Sequence, residues 1–260
     1  MNILRVAGPP LFIAAFMVLL WHAAVTLSGV QPFLMPGPLN VSSAIVANGA
    51  TLAHAAGLTA VAAVLGLAAS FVAGFLIAVS FSQSPIVERS LYPYAIFLQT
   101  VPIVAIAPLI VLWIGHGLPG VVAVSFIISL FPIIANTTAG LTRIDPDLLD
   151  LFRLYGASRV QTLLRLRVPH AIPSMLTGLR ISCGLSVVGA IVGEFFAGYG
   201  TEDYGLGYLI ILTNAQTKTP YLFASVLTST ALGLSFFALV SLLSRRALRR
   251  WGGANEPARA

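Results

Sequence analysis

Apolar runs long enough to cross a bilayer recur along this chain, at residues 9–28, 58–80, 92–114, 118–139, 174–197 and 222–243. A helix needs about 20 apolar residues to span the hydrocarbon core, so each run predicts one transmembrane helix. The expected fold class is an all-α membrane protein of six spans, forming a single domain over 1–260. An even number of spans places both termini on the same side.

Polar residues are sparse between the runs, with one exception. Of the 14 basic and 8 acidic residues, seven fall between Asp145 and Arg167, inside the 140–173 connection. Two short helices are predicted there. Asp145 suits an N-cap, Pro146 the first helical position, and Asp147 and Asp150 complement the positive end of the helix dipole. Leu148, Leu149, Leu151, Phe152, Leu154 and Tyr155 give this helix an apolar side, and Gly156 supplies a left-handed stop. Ser158 with Gln161 three residues on forms a capping box that starts the second helix. Arg165 and Arg167 stand near its end, and Pro169 is expected to close it. The first helix, about ten residues and about 15 Å long, is too short to cross. It either lies on the membrane or docks into a partner, and its folded, charged character favours docking.

Basic residues set the orientation. One choice places Arg5, Arg89, Arg143, Arg153, Arg159, Arg165, Arg167, Arg245, Arg246, Arg249, Arg250 and Arg259 in cytoplasmic segments, with Arg180 near the inner end of the fifth span. Lys218 then faces outward, with Glu202 and Asp203. Both termini and the 140–173 loop are therefore expected in the cytoplasm, and 29–57 and 199–221 outside. Gln31 to Pro38 reads as an irregular turn region. Tyr204 to Leu212 is too short to cross and is expected at the outer interface.

Composition agrees. The chain is 58% hydrophobic and 8% charged, with a mean hydropathy of +0.94, whereas a soluble domain carries about 25% charge. A water-soluble globule is excluded. The net charge of +6 is spread between apolar runs and reads as topology, not as a nucleic-acid surface. Cys183 has no partner for a disulfide or a metal site. The apolar run after Arg5 exceeds a signal-peptide core, about 7–15 residues, so an uncleaved first span is expected.

Small residues four apart mark packing stripes: Ala62, Gly66, Ser70, Gly74 and Ala78 in the second span, and Gly178, Ser182, Ser186 and Ala190 in the fifth. Glu194 continues the fifth-span stripe, so it faces protein or a cavity. It is either a gate residue or a hydrogen-bond anchor for the Gly198-Tyr-Gly200 loop. Pro102, Pro108 and Pro132 kink their helices, and Gln99 and Thr100 can satisfy freed carbonyls or line a route. The candidate pathway residues are thus Gln99, Thr100, Pro102, Ser182, Ser186 and Glu194.

Chemistry of its own is not expected. The sole lysine, Lys218, has no phosphate-binding loop around it, and His22, His54, His116 and His170 form no metal-binding pair. No nucleophile elbow occurs. His170 reads as a surface or capping residue. No metal, cofactor or catalytic residue is assigned, and any ATP hydrolysis must come from another polypeptide.

The charged loop resembles the cytoplasmic EAA signature of ABC-importer permeases: an acid, two small residues, three others, Gly, nine others, a branched residue, one other, a branched residue and Pro. Asp150 takes the acidic position, Leu151 and Phe152 the small ones, Gly156 the glycine, then Leu166, Val168 and Pro169. Leu151 and Phe152 are bulkier than the usual alanines, and Asp replaces Glu. Gln99 to Gly115, Phe131-Pro132, Gly178-Leu-Arg180 and Gly205 to Leu209 are similar to the branch that handles nitrate, sulfonates, taurine, and pyrimidine or riboflavin-type vitamin precursors.

That resemblance implies a type I ABC-importer permease fold in a bacterial inner membrane. It implies a permease homodimer, two ATP-binding subunits and an extracytoplasmic solute-binding protein. The ATPase-docking residues would be Asp147, Asp150, Leu151, Phe152, Tyr155, Gly156, Ala157, Leu166, Val168 and Pro169. Phe195, Phe196 and Tyr199 beside Glu194 lean the solute toward a flat heterocycle over sulfonate, taurine or nitrate. The rival reading is an ion-coupled secondary transporter, for which an isolated Glu194 and the absence of an internal repeat are poor support.

Overall fold

The computed structural model describes residues 3–31, 34–198 and 203–251. Tyr199, Gly200, Glu202 and Arg259, used in the expectations above, lie outside them, as do Pro32 and Phe33. The regular elements are α1 (Ile3–Ser28), α2 (Pro38–Ala47), α3 (Gly49–Gln83), α4 (Pro85–Thr100), α5 (Ile103–Ile114), α6 (Leu118–Thr142), α7 (Pro146–Leu154), α8 (Arg159–Thr162), α9 (Val168–Ala197), α10 (Leu206–Ala215) and α11 (Thr219–Trp251), with a π-turn at Leu163–Arg167 joining α8 to α9.

Four of these stretches are long and apolar enough to cross a membrane: Gly49–Gln83, Leu118–Thr142, Arg159–Ala197 and Thr219–Arg249. They contain the runs expected at 58–80, 118–139, 174–197 and 222–243. The run at 92–114 is not one kinked helix. It is broken into α4 and α5, bent by 100°, with Val101 and Pro102 both extended. Pro102 drives the residue before it out of the helical region and offers no N–H to continue the ladder. The 9–28 run lies in α1, where the apolar stretch among the described residues is Phe12–Ser28. The segment after the turn region also holds a helix, α2, which hydropathy alone did not announce.

α6 is the central helix, clasped between α3 and α9. Small residues permit this approach. A side chain at Gly178 would meet the Pro132 carbonyl at 2.8 Å, and one at Gly74 would meet Ile133 Cγ2 at 2.8 Å. All members of both small-residue stripes are buried. Hydroxyls then bond across the helices: Ser70 Oγ donates to the Phe126 carbonyl (2.7 Å), Ser182 Oγ to the Ser129 carbonyl (2.6 Å), and Ser125 Oγ to the Ser186 carbonyl (2.9 Å).

Pro169 does not close the second short helix, contrary to expectation. α8 runs through the π-turn into α9, giving one helical stretch from Arg159 to Ala197. The Val168 N–H bonds to the Leu163 carbonyl, five residues back. Proline lacks an N–H and crowds the carbonyl four residues before it; widening the preceding turn accommodates both. The α8 half of the charged element is therefore continuous with α9, and α7 joins it through the turn at 155–158.

Candidate functional site

The element at 145–167 is built by local rules. The Asp145 side chain accepts from the Asp147 N–H at 3.0 Å, and Pro146 opens α7. Gly156 adopts φ +65°, and the Gly156 and Ala157 N–H groups bond back to the Arg153 and Phe152 carbonyls. The Ser158–Gln161 capping box forms both of its bonds, at 3.2 and 2.8 Å.

No residue of α7 is buried. Leu154 and Tyr155 are 85% and 83% exposed, and Leu148 and Leu151 are also exposed. A cavity of about 420 Å³ lies between α7 and α8, lined by Leu151, Phe152, Tyr155, Ala157, Gln161 and Arg165. An apolar surface of this kind, carried on a polar element, marks a site of contact with another protein or with a membrane surface. Asp150 pairs with Arg153 at 2.8 Å, and Asp147 is exposed.

The other candidates from this loop are placed differently. Leu166, Val168 and Pro169 are partly buried in the joint that ties the element to α9. Val168 and Leu163 pack on Ala78, Leu141 and Ala171. Arg167 Nη1 donates to the Ser82 carbonyl at 2.9 Å and the Leu141 carbonyl at 3.4 Å. It thereby satisfies carbonyls at the ends of α3 and α6. His170 Nδ1 lies 3.1 Å from the Gly140 carbonyl, a capping contact.

At the far end of α9, Glu194 is 4% exposed. Its Oε2 accepts from the Gly207 N–H at 2.7 Å and lies 3.0 Å from Thr59 Oγ1. Thr59 Oγ1 in turn accepts from the Leu206 N–H at 2.9 Å. Gly205, the residue before α10, provides no side-chain cap, so Glu194 and Thr59 satisfy the first two N–H groups of α10 from other helices. A carboxylate at a helix N-terminus also complements the dipole. Of the two readings of Glu194, this geometry matches the anchor, although the group held is α10. Side chains are not tolerated here: a Cβ at Gly205 would strike the Glu194 carboxylate, and one at Gly207 the Ile191 carbonyl. Nearby, His54 pairs with Asp203 at 3.1 Å.

The six candidate pathway residues do not converge. Gln99, Thr100 and Pro102 line a cavity of about 380 Å³ at the break between α4 and α5, facing Ile127, Phe131 and Pro132 of α6 and Leu185 of α9. Thr100 Oγ1 donates to the Phe97 carbonyl at 2.9 Å, which also accepts from the Val101 N–H at 3.2 Å, closing the end of α4. Ser182 and Ser186 are fully buried in the α6–α9 seam, and Glu194 sits in the α10 anchor. Phe196 packs against Val111 and Ala107, a core position. Sequence reasoning missed Thr59; the signal for it was the Gly205-Leu-Gly207 pair, which requires a close neighbour. Among the described residues no three His, Cys, Asp or Glu side chains gather to hold a metal.

A bundle of long apolar helices that carries an exposed, apolar-faced helical element defines a multi-pass membrane protein. Comparison with known proteins agrees. Residues 70–249 match the family described as binding-protein-dependent transport system inner membrane component. The chain is 35% identical to the formylaminopyrimidine transport permease protein ThiX of Halalkalibacterium halodurans, over 90% of this chain and 92% of that protein. It is 33% identical to the riboflavin transport system permease protein RibX of Chloroflexus aurantiacus, over 90% and 87%. With the taurine transport system permease protein TauC of Escherichia coli it shares 27% identity, over 91% and 85%. The fold resembles that of an amino acid ABC transporter (TM-score 0.61, 19% identity, 78% of this chain and 96% of that one). It also resembles the MetNI methionine ABC transporter (TM-score 0.58, 17% identity, 77% and 94%).

The chain belongs to the binding-protein-dependent inner membrane component family, the ABC-importer permeases. It is a multi-pass membrane protein that works with ATP-binding subunits and solute-binding proteins. ATP hydrolysis resides in a separate subunit. Nothing in these relationships supports the ion-coupled alternative.

Proposed function

We propose that the protein is the permease of a binding-protein-dependent importer that moves a small heterocyclic solute into a bacterial cell by alternating access. Two copies form the pore, two ATPase subunits dock on the α7–α8 elements, and a solute-binding protein delivers cargo outside. The chain crosses six times, counting α1 as the first span and the bent α4–α5 pair as the third, with both termini and α7–α8 in the cytoplasm. The heterocycle follows from the stronger likeness to the permeases named for formylaminopyrimidine and riboflavin than to the one named for taurine.

The observation that carries this reading is the exposed apolar face of Leu151, Leu154 and Tyr155, joined through a short capped turn to a helical stretch continuous with α9. A push on α7 crosses the one capped turn at 155–158 and then runs along α8 and α9 into the bundle. Asp147, Asp150, Phe152, Gly156 and Ala157 shape the docking surface; Leu166, Val168 and Pro169 transmit its movement. The solute route passes Gln99, Thr100 and Pro102, whereas Ser182, Ser186 and Glu194 hold helices together. ATP drives the switch only in so far as it binds one state better than the other.

Copurification of the ATPase with the permease tests this. Asp150→Arg and the Leu154→Ser/Tyr155→Ser pair are expected to reduce recovered ATPase at least tenfold. Undiminished recovery with both would remove the docking assignment.

A further inference from the structure

Arg180 lies in α9, 12 residues beyond Val168 and 14 before Glu194. At 1.5 Å per residue those separations are about 18 and 21 Å. Arg180 as a whole is partly buried, but its Nε and Nη2 are sealed from solvent and have no hydrogen-bond partner within the chain. These two nitrogens are the neighbouring donors of the guanidinium's side fork, the pair that grips two acceptor atoms at once. A guanidinium stays charged at any physiological pH, and native structures rarely leave a buried charge unpaired.

The described residues offer no acidic partner at this depth. Among the described acidic residues, Glu88 opens α4, Asp145, Asp147 and Asp150 belong to the α7 element, Glu194 binds α10 and Asp203 pairs with His54. A second copy related by a two-fold axis along the membrane normal presents its own acids at the same depths, so it supplies none either. ATPase side chains docked on α7 are about 18 Å away along the helix. A lipid phosphate stays at headgroup level, while the fork is sealed within protein. What remains is a molecule that passes through. The face of α9 next to Arg180 leaves room for movement: Ile181 and Val188 are exposed, and Gly184, one turn on, has nothing within 4 Å of a Cβ position.

We propose that Arg180 is a solute-contact residue whose Nε–Nη2 fork takes two adjacent in-plane acceptors on the transported molecule. These are the oxygens of a carboxylate, sulfonate or nitrate, or the neighbouring carbonyl oxygen and ring nitrogen of a heterocycle, the edge that arginine grips on a purine. The fork is closed in this conformation and meets solute in one that opens this face of α9. The proposal rests on the permease reading above and narrows its solute class, excluding polyamines and other cations.

The test uses the complete importer, permease with ATPase and binding protein, in proteoliposomes. Import of riboflavin, taurine and nitrate, which all carry a two-acceptor edge, is compared with import of spermidine, which does not. The wild type is expected to carry at least one of the three and no spermidine. Arg180→Lys keeps the charge but loses the fork, and Arg180→Gln loses both. Each is expected to lower import at subsaturating solute at least tenfold. Wild-type import by Arg180→Lys, import of spermidine, or import of none of the three overturns the proposal.

If the variants do not assemble, wild-type importer is imaged in phosphatidylglycerol nanodiscs with the carried solute. Solute acceptors on Nε and Nη2 support the assignment. A lipid phosphate, a protein acceptor or an empty fork there overturns it. Failure of the ATPase to copurify with the wild type would instead count against the permease reading.

Discussion

The two ends of the Arg159–Ala197 helical stretch are built on opposite principles. At the Glu194 end the polar contacts that hold α10 are buried and matched: Glu194 and Thr59 come from separate helices to hold its first N–H groups. At the Ser158 end hydrogen bonds are local, and apolar side chains such as Leu154 and Tyr155 are left in the open. A buried polar network whose members are all satisfied fixes one arrangement. An exposed apolar face on a well-capped helix is finished only by a partner. One end anchors the bundle and the other awaits contact, so mutations at the two ends should separate folding from assembly.

The largest expected effect falls at the anchor. A valine at Gly207 would drive its Cβ into the Ile191 carbonyl and Glu194 Cβ, both on a helix that cannot retreat from α6. Overpacking of this kind costs about 3 kcal/mol or more. The check is thermal unfolding of the purified permease in detergent, where a marked loss of folded protein is expected. Glu194→Ala should be milder, about 1–3 kcal/mol, because it strands the Gly207 N–H without forcing atoms together. Glu194→Gln keeps an acceptor and should recover most of that loss. Equal stability of all three variants would mean that α10 is held by something other than this network.

An intermediate effect belongs at the other end. Gly156 stands at φ +65° with nothing within 4 Å of a Cβ position. Gly156→Val is therefore opposed by backbone strain alone, about 1–2 kcal/mol, and the strain is confined to the α7–α8 turn. Thermal unfolding should shift less than with Gly207→Val, while ATPase copurification should fall much further. The reverse ranking would erase the distinction between the two ends.

How much of this could be read in the sequence follows the same divide. The α7–α8 caps were legible because each joins residues two to four apart: Asp145 with Asp147, Ser158 with Gln161. The buried faces of α3 and α9 were legible from their four-residue period. What escaped was set by distant partners or fine geometry. Thr59 lies 135 residues from Glu194, and no local pattern joins them. The 92–114 run is apolar enough as a whole for one span, so hydropathy could not separate a kink at Pro102 from a 100° break. Pro169 marked a boundary in the signature, but the π-turn before it let the helix continue. The α2 helix opens with Pro38 and runs only to Ala47, too short for a hydropathy signal.

The smallest effect concerns the residue that carries the family signature. Asp150 is 62% exposed and pairs with an Arg153 that is 79% exposed. Exposed ion pairs of this sort are worth about 0–1 kcal/mol, and one turn of α7 is already capped by Asp145. Asp150→Asn keeps the side chain's size and an acceptor oxygen but removes the charge, so thermal unfolding should shift by no more than about 0.5 kcal/mol. ATPase copurification separates two roles that the structure of one chain leaves superposed. If Asp150 meets a basic group of the ATPase, recovery falls with Asn and falls further with Arg. If its part is only to steer Arg153 away from the Leu151–Tyr155 face, Asn should cost nothing in recovery, and Arg153→Ala should restore docking to the Asp150→Arg variant. The first outcome makes the acid part of the interface; the second assigns the interface to the apolar face alone.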